Sequence, residues 1–445
     1  GNVIPIHKKG NRQLASNYRP ISLTSTIGKV MESIIRNEVM DHLIDNDILH
    51  DAQHGFTPGR SCCTQLMKQM EDWTRLLDLG KPIDVCYLDV SKAFDTVPHQ
   101  RLLKKVQAYG IEHQVLKWIE AFLIGRVQRV AIGGDFSEWT TVISGVPQGS
   151  VLGPQLFVLY VNDLPCKISN GIQIYADDTK IYGEVSTSTQ RDSIQEDLNK
   201  AASWAKSWQL TFNSAKTKVM HIGKGNTKSL YRINNQIIQE TVAEKDLGVM
   251  VDDELTFHTH IDTAVKRANQ TLGLIKRTFT RISRDTLPIL FTTIVRPLLE
   301  YGNVIWHPRF KAEAVKVEKV QRRATKLIPE IRHLSYQDRL KNLKMYSLQY
   351  RRIRGDMIEV YKLMNGLVNS DPAAFFTSAP HEATRGHHQK LYKQRSNTVL
   401  RRNSFSQRVV ESWNSLPTSV ISSSSITSFK IRLDKHWSSQ HQMLP

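Results

Sequence analysis

The stretch GIQIYADDTKIYGEV, residues 171–185, sets two adjacent aspartates, Asp177 and Asp178, inside an apolar, β-prone run. Ile172, Ile174 and Tyr175 precede them, and Ile181, Tyr182 and Val185 follow. Such a run reads as a hairpin, with Asp177-Asp178 as the two turn residues, where aspartate is tolerated. A tight turn there projects both carboxylates from the end of the sheet. Side by side they repel, and partial burial adds to the cost. A cation is the usual relief, and two oxygen-rich acids are a partial site for a hard ion such as Mg²⁺.

A third acid stands in a comparable place. IDVCYLDV (83–90) is a short apolar run that reads as a buried strand ending in Asp89. Three carboxylates on neighbouring strand ends would hold two Mg²⁺ ions. Such a pair activates an attacking hydroxyl and stabilises a leaving pyrophosphate in in-line phosphoryl transfer. Phe94 follows Asp89 closely enough to wall the same site. SGVPQGSVLGP (144–154) precedes an apolar helical pattern, and its glycines let backbone approach a ligand while Gln148 offers an amide. Each feature alone has a plain use as surface hairpin, core ring or helix-entry loop. The order Asp89, Gln148-Gly149, Asp177-Asp178 is specific.

The chain has 445 residues, 40% of them hydrophobic, enough for more than one domain and a substantial core. No apolar run approaches the length of a membrane span, and GNVIPIHKKGNRQ at the N-terminus is not a signal peptide. The first methionine, Met31, lies inside a helical pattern, so the chain reads as a piece of a longer polyprotein. Cys62, Cys63, Cys86 and Cys166 show no zinc spacing and fit a reducing, intracellular compartment. The net charge of +18 is unevenly spread. Residues 1–265 hold 28 basic against 30 acidic residues, 266–365 hold 22 against 8, and 366–445 hold 10 against 4. The middle block suits a polyanion or a solvated basic surface.

Helical periodicity covers 26–45, 61–79, 99–109, 112–124, 153–164 and 189–207. A β-ribbon turns at Gly133-Gly134 and a small hairpin at Asn234-Asn235. Helices and strands mix without βαβ alternation to about residue 256, which argues an α+β fold. Beyond 257 the pattern is helical, with breaks expected at Pro297, Pro308 and near Pro329, and with helices at 311–328 and 336–365. From 366 the chain reads as loop-rich, with short helical pieces at 404–416 and 428–437. His387-His388 read as exposed loop, and Trp204 and Trp208 as core.

YLDVSKAFDTVPH (87–99), SGVPQGSVLGPQLFVLYVNDLP (144–165) and YADDTKIY (175–182) resemble the A, B and C motifs of reverse transcriptases, specifically those of non-LTR (LINE-type, jockey-like) retrotransposons. NYRPISL (17–23) and QHGFTPGRS (53–61) resemble that family's finger motifs, NSAKTKVMHIG (213–223) its D motif and EKDLGVMVD (244–252) its primer grip. IVRPLLEYGNVIW (294–306), VEKVQRRATKLIP (317–329) and RVVESWNSLP (408–417) also resemble these elements.

The resemblance implies a right-hand polymerase. Residues 1–85 would be fingers and the start of the palm, 86–256 a mixed-sheet palm, 257–365 a basic helical thumb and post-thumb region, and 366–445 a tail. Asp89, Asp177 and Asp178 would be the metal carboxylates, with Val90 adding a backbone oxygen, for two Mg²⁺ ions that Mn²⁺ can replace. Arg19, with Lys8 or Lys9, would hold the triphosphate. Phe94 would bar a 2′-hydroxyl, Gln148 and Gly149 would border nucleotide and template, and Lys216 would protonate pyrophosphate. Leu247, Gly248 and Val249 would steady the primer. Lys266, Arg267, Lys276, Arg277, Arg322, Arg323 and Lys326 would grip the duplex phosphates. The implied activity is RNA-directed DNA polymerisation with an RNA template, DNA primer and dNTPs, as used in target-primed retrotransposition. The endonuclease is expected from the missing upstream part of the polyprotein, and the setting is nucleus and cytoplasm. The competing readings are an inactive or domesticated nucleic-acid-binding remnant and an RNA-templated RNA polymerase.

Overall fold

The computed structural model describes residues 1–8, 10–380 and 386–439. It is an α+β protein of two compact units. One comprises Gly1–Ser61, Asp84–His221 and Asn226–Thr241, and the other Cys62–Ile83, Ile222–Gly225 and Val242–Pro445.

The first unit is built on a five-stranded sheet. Its strand order is Gln239–Glu240, Lys218–Ile222, Ile83–Asp89, Asp178–Glu184, Gly171–Tyr175. Ile83–Asp89 sits in the middle, and its first four residues are all buried, which is why the sequence shows a continuous apolar run there rather than an alternation. The helix Gly153–Val161 is apolar on every side and buried at every position but Pro154, so it forms the centre of the core. Its exposed-donor problem is solved from afar: the Glu32 carboxylate accepts the N–H groups of Val151 and Leu152 at 2.7 and 3.0 Å. The helix Ser188–Ser207 opens on a reciprocal cap between Thr187 and Gln190. Trp204 and Trp208 do pack inward, and with Tyr160 they surround the Lys105 ammonium, which also pairs with Asp163. Burial brings that lysine down to about 8.

A second sheet pairs Asn2–His7 antiparallel with Tyr18–Leu23 and parallel with Val127–Ile132. Val127–Ile132 turns at Gly133-Gly134 into Asp135–Phe136, as expected. Asn234 and Asn235 both adopt positive φ in the turn between Arg232–Ile233 and Gln236–Ile237, the geometry that suits a two-residue hairpin.

The second unit is mainly helical. No break occurs at Pro297: Thr286–Leu290, a π-helical turn Phe291–Val295 and Arg296–Glu300 run on continuously. The wider turn lets the helix pass a residue that has no N–H to give. The helix expected over 336–365 is two, Tyr336–Asn342 and Leu348–Met364. Lys344 has φ +50, and the Ser347 side chain caps the second helix by accepting from Tyr350 N–H.

The tail carries more structure than a loop-rich reading implies. Ile426–Ser439 packs on Leu348–Met364 through Phe429 and Trp437, which meet Tyr361 and Tyr350. Asp78, at the end of helix Cys62–Asp78, accepts from Thr398 N–H at 2.7 Å, and buried Glu71 pairs with Arg401 at 2.5 Å. Those partners lie more than three hundred residues apart, beyond the reach of any local pattern. His387 is also not exposed loop. It is buried, edge-on to Trp413 and hydrogen-bonded to the Trp413 carbonyl at 3.2 Å. Among the described residues no helix is long and apolar enough to cross a membrane.

Candidate active site

The central sheet places Asp89 at the end of its middle strand, next to the strand that Asp178 opens. The Asn213 N–H donates to the Asp89 carbonyl at 2.7 Å, and the Ser91 N–H to the Thr211 carbonyl at 2.8 Å. These bonds flank the antiparallel bridge between Val90 and Phe212 and leave the Val90 carbonyl out of that pairing.

The hairpin turn differs from its sequence reading by one residue. Tyr175 pairs with Asp178, so the two turn residues are Ala176 and Asp177, and Asp178 is the first residue of the returning strand. Ala176 takes φ +56. Its N–H donates to the Gln53 Oε1 at 3.2 Å, and the same oxygen receives the Gly55 N–H at 2.8 Å. The segment around Gln53 therefore sets the turn. Asp177 is half-buried and Asp178 exposed.

Asp177 lies in the field of three groups named from the sequence, Asp89, Lys8 and Arg19. Burial, and then the negative charge of Asp89, push its carboxyl above the ordinary range, while its own N–H, Lys8 and Arg19 pull it down. The Lys216 ammonium stands 3.0 Å from Asp89 Oδ2 on the turn after Asn213. Lys8, Arg19 and Lys216 are thus brought to the acids, with Lys8 and Arg19 both exposed. Lys9 lies outside the described residues. Among the described residues no three histidine, cysteine or acid side chains close into a ready metal-ligand group. The charge of Asp89 acts on Asp177. Hard carboxylate oxygens suit a divalent cation of the Mg²⁺ or Mn²⁺ type, and the repulsion between the two is what such a charge relieves.

The disadvantage that burial and Asp89 impose on ionised Asp177 is measurable. A folded-state value above the unfolded one means that the contribution of Asp177 to stability is complete below the ordinary carboxylate range and is lost as pH rises through the folded value. In chelator, Asp177→Asn is therefore expected to melt higher than the unmodified chain at neutral pH, with the difference vanishing towards about pH 4. Mg²⁺ should raise the midpoint of the unmodified chain alone. A difference that stays level across this range would show that Asp177 carries no such strain.

A second cluster forms around the 144–152 loop. Val146 N–H donates to the Phe94 carbonyl at 2.7 Å and Gly145 N–H to the Val97 carbonyl at 2.8 Å. The Gln148 Nε2 donates to the Asp95 Oδ1 at 3.0 Å, and the Gln148 carbonyl accepts from Ser22 N–H at 2.7 Å. Gly149 has φ +104, and a Cβ there would lie 2.8 Å from the Ser22 carbonyl oxygen, so the close approach needs glycine. Gln148, Asp95, Ser22 and Arg126 line a cavity of about 220 Å³. The half-buried Phe94 ring stacks on Phe157 with centroids 4.5 Å apart.

In the second unit, Leu247 and Gly248 are the turn between Ala243–Asp246 and Val249–Asp252. The Tyr301 hydroxyl donates to the Leu247 carbonyl at 2.7 Å, and a Cβ at Gly248 would come within 2.9 Å of the Tyr301 ring. Lys266, Arg267, Lys276 and Arg277 are exposed on helix His258–Thr278, and Arg322 and Arg323 on helix Lys311–Thr325, with Lys326 just after it. Arg323 donates to the Asn269 Oδ1 at 2.5 Å, and Arg322 lies over the Tyr336 ring.

Four contributors were not singled out from the sequence. Asp95, Asn213 and Gln53 hold Gln148, Asp89 and the turn, and Glu32 holds the helix behind the loop. Asp95 and Asn213 stand inside quoted motifs without a visible partner. Gln53 likewise opens the quoted motif QHGFTPGRS, and Glu32 shows as an acid among the apolar positions of its helix.

The catalytic-type acids, glycine loop and mixed sheet go with a match of residues 6–274 to the family model "Reverse transcriptase (RNA-dependent DNA polymerase)". The chain belongs to the reverse transcriptase family. It is 28% identical over 354 residues to the "Probable RNA-directed DNA polymerase from transposon BS" of Drosophila melanogaster, a stretch covering 74% of this chain and 38% of that protein. It is 27% identical over 390 residues to the "RNA-directed DNA polymerase from mobile element jockey" of Drosophila funebris, covering 83% and 41%. The non-LTR, jockey-like resemblance holds. The chain spans about two fifths of the length of these relatives. Telomerase from Candida albicans, solved with a fragment of telomeric RNA, overlaps 78% of this chain and 64% of its own at TM-score 0.40 and 11% identity.

Proposed function

We propose that this chain synthesises DNA on an RNA template, as the polymerising part of a non-LTR retrotransposon polyprotein. One observation carries the reading: two mutually repelling acids, Asp89 and Asp177, meet at one end of the central sheet, within the fields of Lys216, Lys8 and Arg19. The family implies a divalent metal, and Mg²⁺, two ions per site, is the proposed one, with Mn²⁺ as a substitute. When bound, the metal makes the primer hydroxyl a better nucleophile and carries charge on the departing pyrophosphate. Asp89, Asp177 and the Val90 carbonyl would hold it, with Asp178 beside them.

Lys8 and Arg19 orient the triphosphate, and Lys216, released from Asp89, gives its proton to pyrophosphate. Gln148, held by Asp95, and Gly149 border the nucleotide and template. Leu247, Gly248 and Val249 support the primer, and the basic helices of the second unit hold duplex phosphates without reading sequence. The fingers, palm, thumb and tail assignments at 1–85, 86–256, 257–365 and 366–445 belong to this proposal. So do the upstream endonuclease as partner and the nuclear and cytoplasmic setting.

Extension of oligo-dT on poly-rA with Mg²⁺ tests the reading. Incorporation of dTTP in strong preference to UTP is expected. Binding of the duplex with no extension would favour the inactive remnant, and equal use of UTP an RNA polymerase.

A further inference from the structure

A buried arginine in the helical unit has donors with nothing to bind. Arg352, on helix Leu348–Met364, is 3% exposed, and among the described residues nothing accepts from its Nε or Nη1. The Nε of Arg309 is orphaned in the same way, although its Nη2 donates to the Leu255 carbonyl at 2.9 Å. Both arginines line one cavity of about 450 Å³, together with Lys311, Arg322 and Phe310.

The surrounding acids do not answer these donors. Glu318 lines the cavity, but its oxygens already accept from the Tyr336 hydroxyl and from the Leu348 and Gln349 N–H groups. Asp356 is paired with Arg408 at 2.8 Å, and Glu300 with Arg351 at 2.9 Å. A guanidinium keeps its charge at any ordinary pH, and its buried N–H groups need acceptors. Four permanent cations facing one committed carboxylate make an oxyanion pocket, and the planar fork of arginine suits phosphate oxygens. Phe310 at the rim is 52% exposed. Its ring already stacks on His258 with centroids 5.8 Å apart, and an exposed ring beside a cation cluster can extend such a stack to a base.

We propose that this cavity seats one backbone phosphate of a nucleic-acid strand, with the exposed Lys311 and Arg322 as its near cations, the Arg352 and Arg309 guanidiniums as the uncompensated charge behind them, and Phe310 as the support for a neighbouring base. The inference rests on the reading above, in which the chain handles RNA and DNA. The volume leaves space for the attached sugar.

The test measures binding of a fluorescent single-stranded RNA to the full chain by anisotropy over a salt series. Arg352→Met is expected to weaken binding about tenfold. The salt slope should fall by about 0.7 per contact removed. Lys311→Gln and Phe310→Ala, both exposed positions, should each weaken it about threefold, and they decide the matter should Arg352→Met not fold. Inorganic phosphate is the second arm. If it raises the melting midpoint of the unmodified chain but not of Arg352→Met, while RNA binding is unchanged in all variants, the pocket takes a free oxyanion and the strand assignment is overturned. Unchanged RNA binding with no phosphate effect overturns the site altogether. A chain that polymerises while every variant binds RNA as before loses this site alone. A chain that cannot extend a primer, yet loses RNA affinity in the variants, keeps the site and loses the polymerase reading.

Discussion

Asp177→Asn is expected to lower primer extension by about a thousandfold or more while leaving binding of the template–primer duplex intact. The substitution keeps the size of the side chain and removes its charge. The ionised form of Asp177 is held at a disadvantage, by burial and by the charge of Asp89. A divalent cation is the partner that makes such an ionised pair favourable, and an amide oxygen binds it far more weakly. Loss of about 4 kcal/mol of transition-state stabilisation corresponds to three decades in rate. The proposed duplex grip lies on the basic helices of the second unit, away from this substitution, so affinity should survive. Asp89→Asn should be as damaging, with one difference: the Lys216 ammonium, 3.0 Å from Asp89 in the unmodified chain, loses its anchor. Single-turnover extension alongside duplex anisotropy gives both quantities. Extension within tenfold of the unmodified chain would remove Asp177 from the metal site.

The sequence carries most of this arrangement because its signals are local. A buried strand shows as an unbroken apolar run, and Ile83–Asp89 is one. Asn234-Asn235 marks its hairpin because few residues accept positive φ. Failures cluster where a distant partner decides the geometry. The DD pair looks like a turn, yet Gln53, more than a hundred residues earlier, draws Ala176 into the turn and leaves Asp178 on the strand. Glu32 reads as an odd acid on an apolar face until the N–H groups of Val151 and Leu152 appear beside it. The tail gives weak periodicity because its helices before Ile426–Ser439 are short and its elements rely on Glu71, Asp78, Tyr350 and Tyr361 to bind them. Motif residues were legible, and the residues that hold them were mostly not.

Phe94→Ala should lower the preference for dNTPs over rNTPs by about 10- to 100-fold. The proposed gate works by occupancy: a ring beneath the sugar leaves no volume for a 2′-hydroxyl, and forcing extra atoms into packed space costs about 1–3 kcal/mol. Phe94 is suited to that task because its ring is held rather than free. It stacks on Phe157, and its backbone carbonyl anchors Val146 N–H of the neighbouring loop. Because that anchor belongs to the main chain, truncating the side chain leaves the loop's tether in place. The substitution still removes packing: a fully buried Phe→Ala loses about 3–5 kcal/mol, and a half-buried ring somewhat less. Absolute rates will therefore fall for both substrates, and the informative quantity is the ratio of kcat/KM for dTTP and UTP on one template. Phe94→Leu, which keeps most of the volume, should change the ratio much less than alanine does. If alanine lowers both rates equally and the ratio stays fixed, Phe94 is a packing residue and sugar selection lies elsewhere in the site.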